Sequence, residues 1–480
     1  MTPRLTLSSL AALGLVGAAT PGLTLAQYER QSVRLYSQVD LSDFGQSFAN
    51  DCWGYVSPSG REYAIIGLYD ATGFVDITDP VNPQILLVEP HSTSFTGDIK
   101  VYQHYAYSIG DGYNMQIFDM SDIDNGVVTR VGTENLRTHN IALNPESGYA
   151  YLLASSVNSG ITAVDLSDPV NPVVRGSTNP TGNHVHDAQV VNYTSGQYAG
   201  REIAFCPSGQ SGFDIIEVTN HSSMSRLSHL TYQGLSYSHQ GWLSEDRQYF
   251  YLNDELDELN GHTPTTRTLV FDVSDLSNPF LASTFTTGEG TTDHNLYVHE
   301  GFVYESNYNS GFHVFDARTD PLSPTEVGYF DTYPENNSVG YGDGAWSNYP
   351  FFPSGVVIVS DVNRGLFVLD VSEARGERMG LQVSNLVAGQ DATLSVSGAT
   401  PNATVYFAYS LTGGESMTWI DALGVYLNLQ NPALGGSATA NGAGDATLVK
   451  RVPAQASGRT VWMQAAEAGN TSIVAEGAIQ

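Results

Sequence analysis

Four histidines, His139, His186, His239 and His294, stand at matching places in four consecutive stretches of this chain. Asp51, Asp98 and Asp343 hold the same place in three others. Each opens a short apolar run that reads as a β-strand. Neutral imidazole with carboxylate is an ordinary ligand set for zinc, iron, copper or manganese. His184, two residues before His186, shares a strand face with it and can join the set. Two readings fit: the residues converge on a transition metal or ligand, or each braces buried backbone groups. A brace is expected to recur as one residue type, so the contiguous division into four His and three Asp favours a site. Four histidines from different repeats are similar, in arrangement only, to the iron site of carotenoid-cleaving oxygenases.

A second group is denser. The stretch NDELDELNGH places Asp254, Glu255, Asp257 and Glu258 within a few residues. Such carboxylate density suits calcium or another hard cation, although the spacing and glycine of an EF-hand loop are absent. A solvated acidic loop is the competing reading. If the ring supports metal-dependent chemistry, an oxygenase or a hydrolase, Glu255 and Asp187 are the candidate acid–base groups. Trp346 and Tyr349, with Phe351 and Phe352, could stack on a sugar or peptide, or could pack in the core. No GxSxG elbow, P-loop, HExxH or dinucleotide fingerprint occurs in the sequence. Cys52 neighbours Asp51 but points to the other strand face, which argues against a nucleophilic role. The leading expectation is therefore a non-catalytic binding protein, with the metal-dependent enzyme as alternative.

What positions these residues is a repeat. FVDITDPVNP, IFDMSDIDNG, AVDLSDPVNP, IIEVTNHSS, VFDVSDLSNP, VFDARTDPLSP and VLDVSEAR follow one another, with anchoring acids Asp76, Asp119, Asp165, Glu217, Asp272, Asp316 and Asp370 spaced 43–55 residues apart. Periods of this length, with four short alternating strands per unit, predict an all-β, seven-bladed β-propeller over residues 27–375. The repeated acids read as structural, since a role needed once does not need seven copies. The seventh unit lacks its outer strand, and Ser32–Ser42 is expected to supply it and close the ring. In such blades the starts of the inner strands and the loops between strands two and three share one face. The four histidines and the NDELDELNGH loop therefore belong to one mouth of the channel. Residues 376–380 form a polar linker. Residues 381–480, rich in Ala, Gly, Ser, Thr and Val, predict a small β-sandwich.

Residues 1–26 read as a secretory signal: Arg4, then an apolar run too short to span a bilayer, then Thr24-Leu25-Ala26 before Gln27. No other segment is a membrane candidate, and VAEGAIQ at the end has no hydrophobic tail. An exported or cell-surface monomer is expected. The formal charge is −31, with only Lys100 and Lys450 as lysines, which excludes nucleic acid and anionic membrane as natural partners. An extracellular protein, a glycan or a small ligand remains. Cys52 and Cys206 fall in distant repeats and are not expected to bridge.

The repeat phrases resemble LVIVD repeats. NDCWGY, HVHDAQ, SHQGWLSED, DHNLY and WSNYPFFPSG, in that order, resemble the bacterial choice-of-anchor B family over residues 30–375. The resemblance implies an exported propeller with a C-terminal region that varies among members, and it brings no settled biochemical activity. This chain departs from anchored relatives at its C-terminal end.

Overall fold

The structure, a computed structural model, describes residues 28–180, 182 and 184–480; the expected signal at 1–26 lies outside them. The chain divides between Arg375 and Gly376 into two compact units.

In residues 28–375 the strands form seven antiparallel sheets. The second sheet is typical, with Asp98–Tyr102, Tyr105–Gly110, Tyr113–Asp119 and Thr129–Glu134 in sequence order. The inner strands lie side by side in a closed cycle, from Ala49–Val56 through Asp98–Tyr102, Asn140–Asn144, Gln189–Tyr193, Ser238–Leu243, Asn295–His299 and Ala345–Tyr349 back to Ala49–Val56. Seven apolar clusters fill the seams between consecutive sheets. Tyr63 and Phe74 of the first sheet meet Phe118 of the second, and the last seam joins Val368 of the seventh to Ile66 of the first. Each sheet is thus covered on both faces, which is why middle strands such as Glu62–Leu68 are buried throughout. Outer strands such as Thr129–Glu134 are largely exposed. This is a β-propeller.

Closure falls to the N-terminal segment. Arg34–Val39 pairs antiparallel with Gly365–Asp370 as the outer strand of the seventh sheet. In every sheet the pairing of the third and fourth strands shifts register once, as between Arg130 and Gly132. A bulge at each exposed edge twists it away from edge-to-edge pairing. The repeated acids are turn formers: Asp76, Asp119, Asp165, Asp272, Asp316 and Asp370 each accept the backbone N–H two residues on, at 2.8–3.0 Å.

Residues 376–480 are also all β. Gly380–Ser384, Asp391–Ser397 and Ala446–Arg451 form one sheet, and Thr404–Ser410 pairs with Ala433–Thr439 and Thr460–Glu467 in another. Leu381, Leu394 and Val396 of the first share a core with Val405, Phe407, Val461 and Met463 of the second. Asp391–Ser397 alternates between exposed and buried side chains, as a sheet covered on one face requires. Among the described residues, no helix is long and apolar enough to cross a membrane.

Candidate metal centre

The four histidines converge. Ring centroids of His139 and His186 lie 4.7 Å apart, those of His186 and His239 4.1 Å, and those of His239 and His294 4.4 Å. Each leans on the next sheet. Nδ1 of His186 donates to the carbonyl of His239 at 2.8 Å, that of His239 to His294 at 3.0 Å, and that of His294 to Trp346 at 2.7 Å. A carbonyl only accepts, so Nδ1 carries the hydrogen and Nε2 keeps its lone pair in the neutral ring. His139 donates from Nδ1 to Asp111 instead, at 2.9 Å. Fixing one ring nitrogen by a backbone carbonyl or carboxylate is how metal-ligating histidines are oriented. In His186, His239 and His294 the bracing uses Nδ1 alone and leaves Nε2 outside it.

Burial holds His186, His239 and His294 below the ordinary histidine pKa, so these rings are neutral and ready to bind metal at pH 7. His139 differs. Burial works against its charge, but the hydrogen bond and charge of Asp111 outweigh it and raise the pKa. His184 stands at the edge of the arc, its ring centroid 6.2 Å from that of His186, and its Nε2 meets the Tyr237 hydroxyl at 2.6 Å.

The loop between strands two and three of the fifth sheet brings Glu255 to the same point. Its carboxylate lies 3.7 Å from Nε2 of His239 and 4.0 Å from Nε2 of His294, and the three donor atoms fall within 4.8 Å of one another. The Tyr308 hydroxyl donates to Glu255 at 2.8 Å and orients it. The cavity bounded by this arc, Asp51, Asp187 and Trp346 leaves about 20 Å³ for the centre of a water-sized sphere. That is room for an ion or one water.

The acidic members of the predicted ring do not complete it. Asp98 is bound to Lys100 and accepts the Ile141 N–H at 2.9 Å. Asp51 lies 3.8 Å from the same lysine and accepts the N–H of Cys52 at 2.7 Å. Burial and then the neighbouring Asp98 charge push Asp51 well up, against the pull of Lys100; at Asp98 burial opposes the charge, but Lys100 wins and holds it down. Both are braces around a buried lysine. Asp343 is absent from the ring altogether and accepts from Asn363 at 2.8 Å. The seventh inner strand opens with a bulge between Ala345 and Ser347 that puts Trp346 at the ring position, as the bulge between Ser238 and Gln240 does for His239. Alignment of apolar positions puts Asp343 there, three residues too early.

The other candidates also separate. Asp254 is tied up by the Tyr232 hydroxyl and the N–H of Ser236, and Asp257 and Glu258 turn to a different partner, Asp293. Tyr349 is a core residue against Trp53 and Phe352, not a stacking surface. Trp346 does face the mouth, where it meets His294 and Phe48 edge-on. Phe48 and Tyr69 in turn contact Phe95, which is 66% exposed. Trp346 was a candidate from the sequence, whereas Phe48, Tyr69 and Phe95 escaped it because they come from three separate loops. Asp187 lines the cavity, and burial followed by the Asp98 charge pushes its pKa up to about 7. Cys52 and Cys206 are buried and unpaired, and burial raises both thiols. At the opposite end of the inner strands, Trp53, Trp242, Asn144, Glu146 and Arg247 line a second cavity of about 270 Å³.

No family model matches this chain, and no curated protein does. Among solved structures it is similar to the WD40 repeats of RRP9, with 10% identity, 71% of this chain and 98% of that one covered, and a TM-score of 0.45. A functionally unknown protein from Desulfotomaculum acetoxidans DSM 771 aligns at 14% identity over 61% and 88%, TM-score 0.46. The C-terminal WD40 domain of Sif2 aligns at 8% identity over 67% and 80%, TM-score 0.39.

Proposed function

We propose that this is an exported binding protein of the choice-of-anchor B type whose propeller holds a transition metal ion at the channel mouth. The carrying observation is the set of buried imidazoles of His186, His239 and His294, each with Nδ1 committed to a neighbouring carbonyl, two of which, His239 and His294, bring Nε2 together with Glu255 within 4.8 Å. His186, His239, His294 and Glu255 would hold the ion, with His139 beside them. The small cavity suits an ion. The aromatic rim of Phe48, Tyr69, Phe95 and Trp346 next to it supplies the apolar faces on which an extracellular protein or glycan can stack.

The test is elemental analysis of the exported, purified protein beside a His186→Ala/His239→Ala double variant, neither exposed to chelator. Near-stoichiometric metal in the parent and loss of it in a folded variant is the expected result. No metal in either, with the variant much less stable, would leave the histidines as braces alone.

One observation favours a second reading, a metal-dependent oxygenase or hydrolase. Asp187, with its pKa near 7, lines the same cavity and could exchange a proton at neutral pH. Turnover of an oxidisable or hydrolysable probe by the metal-loaded parent, and its loss in Asp187→Asn, would support that reading over pure binding.

A further inference from the structure

Three carboxylates meet inside the protein next to the metal centre but apart from it. Asp257 and Glu258 belong to the loop that carries Glu255, and Asp293 precedes the inner strand of the sixth sheet. One oxygen from each lies within 4.8 Å of the others. Asp257 and Asp293 are fully buried, and Glu258 is 5% exposed.

Their donors are few. Arg267 donates from Nε to one oxygen of Asp257 at 2.8 Å, and its backbone N–H reaches one oxygen of Asp293 at 2.7 Å. The second oxygen of Asp257, the second of Asp293 and both oxygens of Glu258 have no partner. Buried polar atoms are nearly always paired, and a buried carboxylate oxygen without a donor is among the costliest exceptions. The charge is also unbalanced. Three carboxylates lie around Arg267, whose guanidinium pairs with only one of them, Asp257, and Asp254 adds further negative charge from the same loop.

We propose that Asp257, Glu258 and Asp293 bind a calcium ion. The donor set is all carboxylate, with no nitrogen or sulfur among the three, which selects a hard cation over the transition metals suited to the imidazole arc. Calcium accepts six to eight oxygens in irregular geometry, so backbone carbonyls and water can complete the shell around three carboxylates. Its two positive charges offset what remains of three carboxylates after Arg267. The ion ties the loop of the fifth sheet to the start of the sixth and so fixes the backbone two residues from Glu255.

The competing arrangement is protons shared among the three carboxyl groups, and the experiment separates the two. Thermal unfolding and calorimetric titration of the full-length exported protein are followed with CaCl₂, MgCl₂ and ZnCl₂ at pH 7.5. Expected are one equivalent of bound calcium and a rise in Tm of about 3 °C or more at millimolar calcium, with less from magnesium. Glu258→Gln is expected to weaken calcium binding at least tenfold. The calcium response should persist in the His186→Ala/His239→Ala variant, so failure of the imidazole site and failure of this one are distinguishable. Absence of any calcium-dependent shift or heat in the parent overturns the proposal and leaves shared protons. Calcium binding that Glu258→Gln and Asp293→Asn both leave unchanged overturns the assignment to these residues.

Discussion

The imidazole arc and the acids Asp51 and Asp98 lie close together near the heads of the inner strands, yet they have opposite fates. His186, His239 and His294 each use one nitrogen to brace the next sheet and leave the other open. Asp51 and Asp98 have their oxygens engaged by Lys100 and backbone N–H groups. The difference lies in side-chain chemistry. Imidazole has two distinct nitrogens on opposite sides of a rigid ring, so it can serve the fold and a ligand together. A carboxylate beside a buried lysine must neutralise it, and nothing is left over. The acids are closed by folding and the arc is held open by it.

The sharpest way to break this comparison is to remove the cation that engages the two acids. Lys100→Met leaves Asp51 and Asp98 buried without their counter-ion, and a loss of about 3–5 kcal/mol in stability is expected by urea unfolding. A loss below 1 kcal/mol would mean that the acids, like the histidines, are available.

A buried acid outside the ring should respond to pH. Burial pushes Asp361, in the second strand of the seventh sheet, up to about 6. Its folded pKa is above the unfolded value near 3.8, so its protonated form contributes stability that is fully present below about pH 3.8 and is lost as pH rises through about 6. Asp361→Asn should therefore gain on the parent by roughly 3 kcal/mol between pH 4 and pH 8. A stability difference that does not change with pH would refute the burial assignment.

On the imidazole side, Glu255→Gln should leave folding intact and lower transition-metal affinity about 10- to 100-fold, read by competition with a chromogenic chelator. Equal affinity in parent and variant would confine the centre to imidazoles. The smallest change in stability is expected from Phe95→Ser. The ring is mostly exposed, so unfolding should move by less than about 0.5 kcal/mol. Binding of any stacking ligand at the mouth should fall, and undiminished binding would place the partner elsewhere.

The propeller was legible because its evidence is periodic: the acids from Asp76 to Asp370 recur, and the six Asp among them do the same local job in a turn. The imidazole arc was legible for the same reason, since His186, His239 and His294 share a register that the sheets preserve. Asp343 misled because the apolar alignment began the seventh inner strand three residues early, and Trp346 holds the place instead. Asp293 was missed as a companion of Glu258 because 35 positions separate them and only the packing of two sheets brings them together. The loop from Asp254 to Glu258 looked like one cluster, but its carboxylates point to three different destinations. Spacing along a chain reports shared direction in a regular strand and not in a loop.

The strand that closes the ring also imposes an order on synthesis. Arg34 emerges among the first residues of the propeller and Glu373 among the last, and the two end as an ion pair 339 positions apart. At about 5–20 residues per second, the first waits roughly 17–70 s for the second. During that interval Arg34–Val39 has no partner, and its Arg34, Ser37 and Gln38 make it a poor template for a stray strand. The circle therefore cannot lock around an incomplete product, and a ribosome that stalls before Gly365 releases a chain whose two ends have nothing to hold.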